Sequence, residues 1–314
     1  MDIIIPCLNE SHHLTNTLKV LTNLIRNNCL IATIILVDNG STDNSCEIAM
    51  SFCEHVAVKT GISIGALRNY GVSRLKGEYL VFLDADIEIT PPWICTLFKF
   101  ISDTEQNKMI ISGFPYQSPV KKSYIEKVWF NNPSRSTTYI NSGNLITTRK
   151  LFNSIGGFDS KLTTGEDWDF CQRAKKNGGI IKPMPDFLVY HHGYPKTITK
   201  FFLRELWHGI GDYQILKNFF KSKPAILASL TGFFTIVWFV ALIVQPSLNF
   251  IILLPIFLVL TGTLFAIKRS KRLSHLPFNI ILSIVYFYAR CGSLLLMIWR
   301  HILNKKLGFF WRWR

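Results

Sequence analysis

A chain of 314 residues exceeds one average domain, and a composition 48% hydrophobic and 18% charged, with mean hydropathy +0.23, excludes a disordered chain and is oily for a purely soluble one. The formal charge of +15 points toward nucleic acid only until it is located. Residues 217–314 carry 13 of the 35 Lys and Arg and none of the 20 Asp and Glu, leaving 22 basic against 20 acidic residues before them, so the excess brackets the greasiest stretch and indicates a membrane rather than a nucleic-acid partner.

The chain opens on an apolar run at 2–8 that ends in Pro6-Cys7-Leu8-Asn9-Glu10, and Leu14, Leu18, Leu21, Leu24 and Ile25 then recur at helical spacing. A second β-rich run at 33–37 closes on Asp38-Asn39-Gly40-Ser41-Thr42-Asp43, residue types that cap a following helix. A short strand at 56–59, a helix at 65–75 and a strand at 79–83 follow, the last flowing straight into Asp84-Ala85-Asp86. Pro91-Pro92 opens a further helix. After 109–113 the rhythm breaks into a loop-rich stretch, where an α/β enzyme builds the site of its second substrate. Strands alternating with helices predict a mostly parallel sheet with a crevice at the strands' carboxyl ends.

No basic stretch precedes Ile3-Ile4-Ile5, so no cleavable signal is expected and the N-terminal part is placed in the cytosol. Seven scattered Cys without a CxxC pair fit buried thiols in a reducing compartment, not a zinc ribbon or disulfide framework.

The character changes near Thr197. Residues 201–222 mix Phe, Leu and Trp with Arg204 and Lys217, the pattern of an amphipathic helix lying on the bilayer. A membrane domain is expected over 223–314. Apolar segments at 225–245 and 248–267, joined by Gln245-Pro246-Ser247, predict a spanning hairpin. The basic loop 268–272, with Lys217, Lys221 and Lys223, puts both flanks in the cytoplasm by the positive-inside rule. A third apolar segment, 277–299, contains Arg290. Its length favours a crossing, but a crossing would place Arg300, Lys305, Lys306, Arg312 and Arg314 outside, so spanning and re-entrant readings both stay open.

Among the polar motifs, Asp84-Ala85-Asp86 sets two carboxylates at i and i+2 after a strand, able to aim at one hard cation on a diphosphate; a solvated turn is the competing reading. Asn9 and Glu10, and likewise Asp38, stand where a base or ribose would lie, or else shape and cap their turns. Arg68 would meet a phosphate or the acidic cluster, or form a surface ion pair. In Gly165-Glu166-Asp167-Trp168-Asp169 one acid facing an acceptor hydroxyl would be a general base, while acids here also complement a helix dipole; Asp169 and Arg173 suit an i,i+4 pair.

Taken in order, Ile5-Pro6-Cys7-Leu8-Asn9-Glu10, Val37-Asp38-Asn39-Gly40-Ser41-Thr42-Asp43, Gly65-Ala66-Leu67-Arg68-Asn69, Phe82-Leu83-Asp84-Ala85-Asp86 and Gly165-Glu166-Asp167-Trp168-Asp169-Phe170 resemble the family 2 glycosyltransferases of GT-A fold over about residues 2–215. The resemblance implies a GT-A domain over 1–200 that moves a sugar, with inversion, from a nucleotide diphosphate sugar (UDP by default) to a lipid-linked or saccharide acceptor at the cytosolic membrane face, using Mg²⁺ or Mn²⁺. It implies a nucleotide-sugar pocket of Pro6, Asn9, Glu10, Asp38, Asn39, Arg68, Asp84 and Ala85. Asp86 and Asp84 would hold the metal, with His192 of the His191-His192 pair a further candidate ligand against a structural strand-end histidine. Asp167 matches the catalytic base and Glu166 its acidic neighbour, while Asn144, Gly157, Trp168 and Arg204 fall on the acceptor side.

The Gln-x-x-Arg-Trp signature of the processive synthases is missing from Leu203-Arg204-Glu205-Leu206-Trp207-His208-Gly209, which favours a single transfer. A lipid phosphate would then meet Arg204, Arg290 or the basic tail. A polyprenyl phosphate acceptor is already ionised and needs no base, so the intact Glu166-Asp167 pair favours a hydroxyl. A non-catalytic, membrane-anchored partner protein on the same fold is the alternative from another class.

Overall fold

The computed structural model describes residues 1–104, 108–120, 122–130, 139–214, 219–220, 222–245, 247–270 and 272–303. Lys217, Lys221, Pro246, Lys271, Lys305, Lys306, Arg312 and Arg314 lie outside them. The chain forms two compact units, one from Met1–Val120 and Pro133–Tyr194, the other from Lys121–Asn132 and Pro195–Trp313.

The first unit is built on central strands that are apolar because both faces are covered. Ile3, Ile4 and Ile5 of β1 (Asp2–Cys7) are all fully buried. Successive side chains leave a strand on opposite faces. Ile3 and Ile5 therefore join Leu14 and Leu18 of α1 (Ser11–Asn27) and Trp93 and Leu97 of α4 (Pro92–Thr104). Ile4 joins Leu67 and Val72 of α3 (Ile64–Arg74) and Phe170 and Ala174 of α6 (Glu166–Lys176) on the other face. The sheet order is β3-β2-β1-β4-β7-β6-β8, with β2 Thr33–Asp38, β3 His55–Val58, β4 Tyr79–Leu83, β6 Ile110–Gly113, β7 Asn144–Thr148 and β8 Ile180–Pro183. Only β7 runs against the rest among the described strands, so the sheet is mostly parallel. The short helices α2 (Ser45–Met50) and α5 (Arg149–Ser154) complete the layers.

Two registers position the site. Cys7 pairs with Asp38 and Ile4 with Phe82, so β1, β2 and β4 end side by side and present their three loops together. A separate antiparallel pair, β5 (Ile87–Ile89) with β9 (Val189–His191), sets Ile87 opposite His191 and so carries Asp86 to the end of β9.

In the second unit, α7 (Ile198–Gln214) falls where the amphipathic helix was expected. The long helices α8 (Lys223–Val244), α9 (Leu248–Arg269) and α10 (Leu276–Leu303) follow. Their segments Lys223–Val244, Ile251–Arg269 and Leu273–Trp299 are each long and apolar enough to cross a membrane. The division differs from the expected 1–200 in two respects: the helical unit begins at Pro195, and Lys121–Asn132 groups with the helices. The cause of the second is apolar, because Ile125, Val128 and Trp129 are buried with Phe201, Ala228, Leu282, Tyr286 and Phe287.

Candidate active site

The loops after β1 and β2 are laced together by polar groups. Asn9, at φ +55, accepts the Thr42 N–H at Oδ1 (2.8 Å) and donates its own N–H to Ser41 Oγ (2.8 Å). Asp43 caps α1, accepting the Ser11 N–H at 3.0 Å, so Glu10 occupies the cap position while its carboxylate makes no capping bond. Asp38 is buried, and its carboxylate accepts the N–H of Gly40 (2.8 Å), the N–H of Ser41 (2.7 Å) and the Ser41 hydroxyl. That turn needs Gly40 at φ +90, a region open to glycine. Asn39 donates to the Ile62 carbonyl at 3.1 Å. Pro6 pairs with Val37 inside the sheet. In these two motifs most polar atoms therefore shape and tie together the two loops.

Beyond β4 the arrangement becomes acidic. Asp84 accepts Arg68 Nη2 at 2.9 Å on Oδ1 and the Tyr116 hydroxyl at 3.0 Å on Oδ2. Gly143 closes over it, and a Cβ there would stand 2.1 Å from Asp84 Oδ2. The carbonyl of Ala85 is held by the Thr17 hydroxyl of α1 at 2.9 Å. Asp86 has Oδ2 3.4 Å from His191 Nε2, and its Oδ1 is buried with no hydrogen-bond partner. Asp84, Asp86 and His191, all buried, bring one ligand atom each within 4.8 Å of one another. Two carboxylates and an imidazole around an unpartnered buried oxygen are a donor set for a small divalent cation, Mn²⁺ or Mg²⁺, and such an oxygen is costly without one.

The sequence offered His192 as a further candidate ligand, and the structure gives it other partners. His192 Nε2 lies 2.9 Å from Glu88 Oε2 and its ring stacks on His13, because neighbouring residues at a strand end face opposite ways. The imidazole at Asp86 belongs to His191, held between the rings of Tyr116 (4.9 Å) and Tyr194 (4.5 Å).

Arg68 is fully buried and forks between motifs, giving Nη1 to Glu166 (2.8 Å) and Nη2 to Asp84 (2.9 Å). Of the roles open to it in the sequence, the structure takes the acidic cluster. Ser142 also donates to Glu166, at 3.1 Å. Gly165, at φ +79, turns the chain so that Glu166 and Asp167 start α6. Burial, then the charge of Glu166, pushes the Asp167 carboxyl from 3.8 up to about 7, with Asp84 adding to the rise. Its Oδ1 accepts the Trp168 N–H at 2.7 Å. A carboxylate so poised matches a general base working near neutral pH. The same burial, with the charge of Asp84, pushes the Tyr116 phenol well above its ordinary value, so it stays a donor.

The expected acceptor side divides. Trp168 is partly exposed beside Asp167. Gly157, at φ +72, makes a turn fastened to Asn69, which bonds both the N–H and the carbonyl of Phe158. Asn144 faces no ligand: it is fully buried, accepting from Trp93 Nε1 (3.1 Å) and donating to the carbonyls of Phe114 (3.0 Å) and Phe187 (2.7 Å). Arg204 lies in the second unit, paired with Glu205 at 2.6 Å. Tyr116, Thr17 and Ser142 belong to no spaced motif, and only the fold brings them in.

Residues 2–159 match the family model described as Glycosyl transferase family 2, and residues 123–196 match one described as N-terminal domain of galactosyltransferase. Chondroitin synthase of Escherichia coli is 23% identical over 245 residues, 62% of this chain but 35% of that protein, so the chain spans about a third of that relative. Uncharacterized glycosyltransferase EpsJ of Bacillus subtilis is 23% identical over 224 residues, 64% of this chain and 63% of that one. The structure of a mannosyltransferase from Pyrobaculum calidifontis, in complex with GDP-Man and Mn²⁺, superposes with TM-score 0.57 at 16% identity over 97% of this chain and 87% of that chain. That likeness is one of fold.

Proposed function

As the chain belongs to glycosyl transferase family 2, we propose that it transfers a sugar, with inversion, from a nucleotide diphosphate sugar to a hydroxyl of a saccharide or lipid-linked acceptor in polysaccharide or glycolipid synthesis. The observation that carries this reading is the meeting of four separated stretches. Asp84, Asp86 and His191 gather on one side, Glu166 and Asp167 on the other, and buried Arg68 joins them. Asp167 takes the proton of the acceptor hydroxyl as its oxygen bonds to the anomeric carbon, and the bond from that carbon to the diphosphate breaks with its electron pair leaving on phosphate. Asp84, Asp86 and His191 would hold Mg²⁺ or Mn²⁺, whose charge when bound offsets that of the departing diphosphate. Arg68 fixes Asp84 and Glu166 in place, and the charge of Glu166 makes Asp167 a stronger base. Trp168 offers an exposed ring beside that base for the acceptor. Positioning and electrostatics then supply most of the barrier reduction.

A UDP sugar is the default donor, and the GDP-Man in the superposed mannosyltransferase makes a GDP sugar the next to try. The three apolar helices support an acceptor at the membrane, and Lys268 and Arg269 at the end of α9, with Arg272 beyond it, support a cytoplasmic catalytic unit. The test incubates the full chain in membranes with UDP and GDP sugars, Mn²⁺ and lipid extract. Transfer that disappears in Asp86→Ala and Asp167→Asn is expected, and undiminished transfer in both variants would refute the assignment.

A further inference from the structure

The three apolar helices are not alike, and we infer that only α8 and α9 cross the membrane. On this reading α10 lies along the headgroup–acyl boundary of the leaflet where α8 begins and α9 ends, with the bilayer itself as its partner.

The contacts along α10 begin at the end of α9 and finish on α7. Near its start, Asn279 donates to Ser270 Oγ, just past the end of α9. A Cβ on Gly262 would touch Ile280 and Ile284 at 3.3 Å, and Phe265 packs on Tyr286 (5.5 Å) and Phe287 (5.2 Å). Further on, Tyr288 meets Thr235 of α8 at 3.0 Å, and Cys291 fills the space over Gly232. Ser293 then bonds the Leu206 carbonyl of α7 at 2.6 Å. From 279 to 293 the helix advances about 21 Å at 1.5 Å per residue, yet its partners run from the end of α9 through the middle of α8, at Thr235 and Gly232, back to α7, which precedes α8. A crossing helix would reach the far ends of α8 and α9. There Phe239, Ile243, Ile252 and Ile256 are instead exposed.

Charge points the same way. Arg290 gives Nη1 to Asp212 (2.5 Å) and Nη2 to Glu205 (3.0 Å), both on α7, which also carries Lys200, Arg204 and His208. In a crossing helix Arg290 would sit about 21 Å into a hydrocarbon layer of about 30 Å, a depth at which so many ionisable groups do not belong. The segment Leu273–Trp299 is also the least apolar of the three, with hydropathy 1.8 against 2.3 and 2.3. Its exposed Ile281, Leu295 and Trp299 suit lipid contact. Lying flat, α10 keeps Arg300, Lys305, Lys306, Arg312 and Arg314 on the same face as Lys268, Arg269 and Arg272, where anionic lipid attracts them.

The test places one epitope tag at a time before Met1, between Gln245 and Ser247, or after Arg314 of the full chain. Protease is then added to sealed vesicles of known orientation. The first and third tags are expected to be cut from one face and the middle tag from the other. A third tag cut from the face of the middle one would overturn the inference, and so would all three on one face. Should a tag disturb folding, trypsin cleavage at Lys305 and Lys306 of the untagged chain, read by mass spectrometry, gives the same answer. Cleavage from the face of the N-terminal unit supports the inference, and cleavage from the opposite face alone overturns it.

Discussion

Each unit buries a cluster of ions, and the two clusters treat a buried carboxylate in opposite ways. In the first unit one guanidinium, Arg68, stands among Asp84, Asp86, Glu166 and Asp167, and Asp167 rises to about 7. In the second, Glu205 is buried, yet Arg204 and Arg290 outweigh the effect of burial and hold it below the ordinary carboxylate value. Burial alone therefore does not decide; the local balance of charge does. A cluster short of positive charge is poised to take a cation and a proton, whereas one whose acids are matched by arginines holds helices together.

The largest effect expected to separate the two is Asp167→Asn. It should lower kcat by about 10²- to 10⁴-fold while nucleotide-sugar binding persists, read by turnover beside calorimetric binding. Glu205→Gln should leave kcat far less changed. Next, Arg68→Met strips from the first cluster its only guanidinium among the described residues and should cost about 3–5 kcal/mol of stability in denaturant melts, as loss of one partner from a buried pair does. Arg290→Met is expected to be similarly costly, but with its damage in the helical unit, seen as selective protease sensitivity there.

The pH dependence sharpens the contrast. Activity should climb as pH rises through about 7, where Asp167 becomes a base. Glu166→Gln removes the like charge and should move that limb to lower pH, while Glu205→Gln leaves it in place. The stability signs are opposite. The raised Asp167 favours the folded state at low pH and loses that contribution as pH rises through about 7. The depressed Glu205 adds stability above the ordinary carboxylate range and loses it in acid. The smallest effect belongs to the partly exposed Asp169–Arg173 pair, where Asp169→Ala should cost only about 0.3–0.5 kcal/mol.

Much of the first unit was legible in the sequence because parallel strands need long apolar runs, and their ends carry the chemistry. The runs before Asn9, Asp38 and Asp84 announced β1, β2 and β4, and the register of those strands did the rest. What stayed hidden depends on contacts distant in sequence. β7 is a strand inside a stretch read as loop, because only pairing with β4 and β6 defines it. Asn144 fell on the acceptor side by resemblance, but its side chain ties together residues 93, 114 and 187. The choice between His191 and His192 rests on which way each side chain leaves β9, and two adjacent identical residues carry no such signal. Ile125, Val128 and Trp129 gave no hint of packing with helices beginning some seventy residues later.

The central claim, that Asp84 and Asp86 join His191, distant in the chain, in holding one cation, is tested most directly by Mn²⁺ binding to the purified full chain with UDP or GDP present, followed by electron paramagnetic resonance. One bound Mn²⁺ per chain is predicted, lost in Asp86→Ala and weakened in His191→Ala but kept in His192→Ala. Binding that survives Asp86→Ala unchanged, or that fails in His192→Ala while persisting in His191→Ala, would contradict it.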